Sequence, residues 1–121
     1  MVQYLKQHYP VDTNIIIAGD FNGEPDERFY DIFIRSGFKS AYYTLMNNTE
    51  PTFTTWKFKS REGKEKEESR TIDYIFYHCQ DLTPIARLEF PSKTDIGPNA
   101  LPCANYPSDH LALQSIFLIR V

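Results

Sequence analysis

The stretch Asn14-Ile15-Ile16-Ile17-Ala18-Gly19-Asp20-Phe21-Asn22 puts three β-branched residues in a row and then breaks on glycine. Three such residues without polar alternation favour a strand covered on both faces, which demands a layer above it and a layer below. The strand ends at Gly19, so Asp20 and Asn22 fall at its carboxyl end, where α/β sheets collect ligands and a carboxylate can meet a water or a cation. Gly, Asp and Asn are also ordinary turn residues, so this stretch alone fits a plain strand end followed by a turn.

The flanking segments follow α/β grammar. Tyr4, Leu5 and His8 fit the last turns of a short helix that Pro10 ends before the strand at 14–18. Beyond Asn22, Pro25 is placed in the first turn of a second helix, with Asp26 and Glu27 near its positive end, Phe29, Ile32 and Phe33 as its inward stripe, and Gly37 just past its close. Residues 51–58 are β-type. Residues 58–71 turn strongly polar and are read as a solvated loop, with a phosphate-binding role as the second reading. In residues 71–78, Ile72, Tyr74 and Phe76 share one face of a strand while Asp73, Ile75 and Tyr77 share the other. A further strand is expected at 85–90, then a long structured loop, and a last strand near the end, apolar on both faces.

With 121 residues the chain makes one domain at most. A formal charge of −3 argues against broad electrostatic binding of nucleic acid, although the basic residues of 57–70 leave a local site open. Cys79 and Cys103 are too few for a disulfide scaffold and lack metal-type spacing, so both are read as packing residues in a reducing, cytoplasmic setting. No segment approaches the length of a membrane span, so no membrane insertion is expected.

Three polar points stand at element boundaries: Asp20 with Asn22, Asp73, and Asp109 with His110. If their strands share a sheet, the ends converge on a carboxylate to orient water, an amide to donate to an anion, and an imidazole held by an acid. Such equipment suits phosphate-ester hydrolysis, with Asp109 as a hard oxygen ligand for magnesium. Each residue also has an ordinary reading: Asp73 as a strand acid bonded to backbone, and His8 and His78 as surface residues.

The blocks Gly19-Asp20-Phe21-Asn22, 71–77 and 106–113, in this order, resemble the last three signature blocks of the endonuclease/exonuclease/phosphatase superfamily. Residues 19–25, 54–57 and 96–113 resemble most its nocturnin-type members, and next the related cytoplasmic deadenylases. The resemblance implies an α/β chain forming the C-terminal half of a four-layer α/β/β/α sandwich. It implies that residues 1–121 are the C-terminal portion of one catalytic domain, its N-terminal half absent, because the superfamily's upstream asparagine, its principal magnesium-binding glutamate and the basic residues of its first half have no counterpart. By the same resemblance Asp20 would activate water, Asn22 would donate to the phosphate, Asp73 would hold His110 against the transition-state charge, and Asp109 would support Mg2+, with Mn2+ as the substitute. Arg70, nearest the catalytic strand, is the candidate contact to a second phosphate. The implied substrate is NADP(H), losing its 2′-phosphate. The alternatives are poly(A) RNA, shortened from its 3′ end in mRNA decay, and an inactive truncated interaction piece.

Overall fold

The computed structural model describes residues 1–78 and 80–121, so the reading of Cys79 as a packing residue falls outside the described residues. The elements run α1 (Val2–His8), β1 (Ile15–Asp20), α2 (Arg28–Arg35), β2 (Lys39–Ser40), α3 (Ala41–Leu45), β3 (Thr55–Arg61), β4 (Lys64–Arg70), β5 (Asp73–His78), β6 (Leu82–Arg87), α4 (Lys93–Ile96) and β7 (Ser115–Ile119). Strand β5 is the middle of a three-stranded sheet ordered β1-β5-β2, while β3 pairs with β4 and β6 with β7, every pairing antiparallel.

The alternation read in 71–78 determines how the layers form. Tyr74 and Phe76 face α1 and α2, packing with Val2, Phe33 and Phe38, with Ile15, Ile17 and Phe21 at the margin. Ile75 and Tyr77 face the opposite way, onto Ala41, Tyr42, Leu82 and Phe117. A third cluster, built on Phe53, Trp56, Ile96, Leu101 and Leu111, fastens the long loop before β7 onto β3, and the partly buried Cys103 packs against it as expected. Burying side chains on both faces of one strand is worth roughly 1.5–3 kcal/mol for each large residue, which makes β5 the axis of the fold.

Several expectations are corrected. Helix α2 begins at Arg28 with Glu27 as its N-cap, and Pro25 and Asp26 lie in the preceding turn. Its inward stripe is Phe29, Tyr30 and Phe33, and Ile32 is exposed. Gly37 follows the helix with a positive φ of 89°, as read, and its N–H donates to Ile34. Residues 58–71 are not a loop. They form the two-stranded ribbon β3–β4, closed by Glu62 and Gly63, both at positive φ, the geometry of a two-residue hairpin turn. Strand β6 runs three residues earlier than expected. Strand β1 is not covered on both faces, since Ile16 is 49% exposed, and on β7 Ile116 and Leu118 are likewise about half exposed.

Helix α2 is tied to the turn before β3 by the Tyr30 hydroxyl, which donates to Glu50 Oε1 at 2.6 Å. Burial pushes the Glu50 carboxyl above the ordinary carboxylate range, and the hydrogen bonds from Tyr30 and Ser40 draw it partly back. A raised folded-state value means that the folded chain holds its proton longer, so the contribution of Glu50 to stability falls as pH rises from the ordinary glutamate range through the raised value. Tyr30→Phe removes a donor to the charged form. Urea unfolding should therefore show a loss of about 1 kcal/mol near neutral pH and a smaller loss near about pH 4; an equal loss at both would contradict the coupling.

Candidate active site

Asp20 closes β1 and Asp73 opens β5, and the antiparallel register sets them directly opposite each other. Two like charges so placed repel. The His110 ring lies between them: Nδ1 is 2.9 Å from Asp73 Oδ2 and 3.1 Å from Oδ1, and Nε2 is 4.0 Å from Asp20 Oδ2. The imidazole is thus held on one nitrogen by an acid whose side chain is 14% exposed and presents the other nitrogen toward a more open carboxylate, 37% exposed.

Thr54, fully buried, fixes this arrangement. Its hydroxyl accepts from the Ile72 N–H at 3.0 Å and from the Asp73 N–H at 3.2 Å, so its one proton goes to Asp73 Oδ2, at 2.6 Å. The Thr54 backbone N–H donates to the Arg70 carbonyl, and its carbonyl accepts from the Leu111 N–H, both at 2.8 Å, bringing the residue after His110 alongside. Thr55 continues the pattern: its hydroxyl donates to the Asp109 carbonyl at 2.7 Å, and it forms a β-bridge with His110. His110 is therefore positioned by the start of β3, well before β7 begins.

The loop after Asp20 is equally constrained. The Asn22 N–H donates to Asp20 Oδ1 at 2.7 Å, and Asn22 takes a left-handed φ of 51°, which asparagine tolerates better than most residues. Gly23 is required by close approach, because a Cβ there would stand 2.5 Å from the Phe29 ring. The Tyr74 hydroxyl reaches the carbonyls of Gly23 and Thr71, at 2.9 and 2.8 Å. A depression of about 290 Å3 lined by Ala18, Gly19, Asp73, Leu111 and Leu113 opens beside the acids.

Of the residues read from sequence, Asp20, Asn22, Asp73 and His110 come together. Asp109 is adjacent, but its carboxylate is taken by Lys57 Nζ at 2.7 Å, which holds the carboxyl below the ordinary aspartate range. The ligand-type atoms within 4.8 Å of one another belong to Asp20, Asp73 and His110, without Asp109, and that group is of a kind able to hold a metal ion. Arg70 is turned onto Glu24 at 3.3 Å and Glu27 at 3.7 Å. Thr54, Thr55 and Lys57 were not singled out by sequence reasoning as site residues. The available signal was a pair of adjacent threonines opening a strand, where each side chain points to a different face.

No family model matches the chain. It is 44% identical over 107 residues to nocturnin of Xenopus laevis, covering 85% of this chain and 26% of that protein. It is 27% identical over 122 residues to the CCR4-Not complex 3′-5′-exoribonuclease subunit Ccr4 of Schizosaccharomyces pombe, covering 88% of this chain and 18% of that one. Its fold matches the solved human nocturnin catalytic domain with a bound sulfate anion, with a TM-score of 0.69 and 31% identity, over 98% of this chain and 37% of that one. The chain is a nocturnin-like member of the endonuclease/exonuclease/phosphatase superfamily. It spans about a quarter of the length of the curated nocturnins it matches.

Thr54→Val keeps the shape of the side chain and removes the hydroxyl. Two N–H groups then lose their side-chain partner and the Asp73 carboxylate loses one of its two, so chemical denaturation should show a loss of about 2 kcal/mol, and Thr54→Ser should recover most of it. A valine variant as stable as the parent would show that the hydroxyl does not hold Asp73.

Proposed function

We propose that this chain carries the acid–imidazole part of a divalent-metal-dependent phosphoester hydrolase, whose leading substrate is NADP(H), cleaved at its 2′-phosphate. One observation carries the reading: the His110 ring is fixed by Asp73 at 2.9 Å on one nitrogen while the other faces Asp20 at 4.0 Å. In the reaction, water adds to phosphorus and the ester oxygen leaves on the nucleoside. Asp20 orients the water and accepts its proton, and Asn22 donates to a phosphate oxygen. His110, oriented by Asp73 through Nδ1–H, takes up a proton on Nε2, and the imidazolium so formed stabilises the charge that develops on the phosphoryl oxygens. Hydrolytic function in the matched exoribonuclease, and the sulfate bound to the matched nocturnin domain, support an anionic ester as substrate.

The donor set fits a hard divalent cation, which keeps several waters and needs only one or two carboxylates. Asp109 would support Mg2+, or Mn2+ in its place, directly or through water, and the ion would offset negative charge on the phosphate. Asp109 would approach it from its pairing with Lys57. Arg70 would reach a second phosphate by exchanging Glu24 and Glu27 for it. We also read residues 1–121 as the C-terminal portion of one catalytic domain that works in the cytoplasm. The half-exposed Ile16, Ile85, Ile116 and Leu118 support that reading, as apolar strand residues that a further layer would cover. The chain on its own should therefore be inactive and poorly soluble.

The test is His110→Ala in the full-length enzyme, assayed by phosphate release from NADP with magnesium. A fall of roughly 10²-fold or more in turnover is expected, whereas a change of a few-fold would make His110 structural. Shortening of poly(A) that outruns phosphate release in the parent enzyme would put exoribonuclease activity first.

A further inference from the structure

One face of β3 holds Asp109 twice. Alternate residues of a strand point the same way, about 6.8 Å apart, and the first two on this face are Thr55 and Lys57. The Thr55 hydroxyl donates to the Asp109 carbonyl at 2.7 Å, and the Lys57 ammonium donates to Asp109 Oδ2, also at 2.7 Å. The two ties differ in kind. Thr55 is buried and bridged to His110, so the backbone at residue 109 is fixed. The Lys57 and Asp109 side chains are partly exposed, a setting in which an ion pair is weak and readily exchanged.

The ammonium sits on the carboxylate that would support the divalent ion. Lys57 brings one compact, hydrated charge on a flexible stem, whereas Mg2+ or Mn2+ brings two and prefers the same hard oxygen. Two cations at one carboxylate repel each other, so occupancy by one lowers occupancy by the other. Lys57 also has a second acid within reach. Directly opposite it across the β3–β4 ladder stands Glu68, at a separation where side chains on one face meet. The Glu68 carboxyl is held below the ordinary glutamate range chiefly by Lys59, and Arg70 and Lys57 add to that effect. The register therefore places Lys57 between two acids, Asp109 from the long loop and Glu68 from the ribbon, and it is bonded to the first.

We propose that Lys57 is an internal counter-cation for Asp109, which a divalent ion must displace and which the ribbon then hands over to Glu68. The proposal rests on the reading of Asp109 as the residue that supports the ion; the ion pair itself does not. Lys57 then acts as a positioning residue with two effects. It aims the Asp109 carboxylate, and it lowers the affinity of the site for the divalent ion, so removing its charge should tighten that affinity wherever Asp109 is present to be released.

The experiment is a Mn2+ titration of the full-length enzyme followed by electron paramagnetic resonance, which counts free ion and needs no turnover. Lys57→Met should bind Mn2+ about fivefold more tightly than the parent. Lys66→Met, which removes a charge from an exposed position on the same face, should shift affinity by less than about twofold. Asp109→Asn should bind more weakly, and adding Lys57→Met to it should bring no further gain, the non-additivity expected of two groups that act through each other. Glu68→Gln, which removes the second acid, should weaken Mn2+ binding about twofold. Affinity in Lys57→Met that is unchanged or weaker would overturn the proposal, as would a gain that Lys66→Met matches or that survives in the Asp109→Asn background, since long-range charge would then explain it. Unchanged affinity in Glu68→Gln would overturn the handover. If Asp109→Asn alone binds Mn2+ as the parent does, the reading of Asp109 falls and the proposal with it. The full pattern in an enzyme that hydrolyses no phosphoester would uphold the competition and remove the hydrolase reading.

Discussion

The site depends on one buried hydroxyl. Two aspartates opposed across a strand pair are an unfavourable arrangement, and a carboxylate as enclosed as that of Asp73 costs free energy unless it is bonded. The Thr54 proton and the His110 ring together satisfy it, and the two backbone N–H groups that Thr54 accepts leave its proton nowhere else to go. The same residue uses its main chain to hold Arg70 and Leu111, so three segments meet at position 54. By contrast, the pairing of Lys57 with Asp109 involves side chains 28% and 46% exposed, where an ion pair adds little stability. Its consequence is positional, since it aims the Asp109 carboxylate.

Much of the core was legible because β5 is buried on both faces, and its alternation therefore had only one way to pack. Tyr74 and Phe76 went to one layer and Ile75 and Tyr77 to the other, as residues 71–78 indicated. The partnership of Asp73 with His110 was legible from motif order. Its mechanism was not: the expected route was strand ends meeting in one sheet, yet among the described residues β7 pairs only with β6, and His110 is delivered by its bridge to Thr55. Sequence spacing holds no trace of that bridge, because it is made by a loop of irregular backbone.

The ribbon was missed for a different reason. Hydrophobic periodicity is the usual strand signal, and beyond Phe58 the segment has almost nothing apolar. The period of two was present in charge instead, in Lys57, Lys59 and Arg61 and again in Lys64 and Lys66, with Glu62 and Gly63 marking the turn between them. The false start of α2 has a simpler cause. Proline suits a first helical turn, but the backbone after Gly23 is drawn in by Tyr74 and by the packing of Phe29, so the helix waits until Arg28.

The central claim is that the His110 ring is held in one tautomer by Asp73. Long-range 1H–15N correlation spectra of the histidine-labelled protein would read this directly. The neutral ring is expected to carry its proton on Nδ1, donated to Asp73, with Nε2 unprotonated toward Asp20. A neutral ring protonated on Nε2 alone, or one averaging between both tautomers, would mean that the acid does not orient the imidazole, and the account of the site would fail.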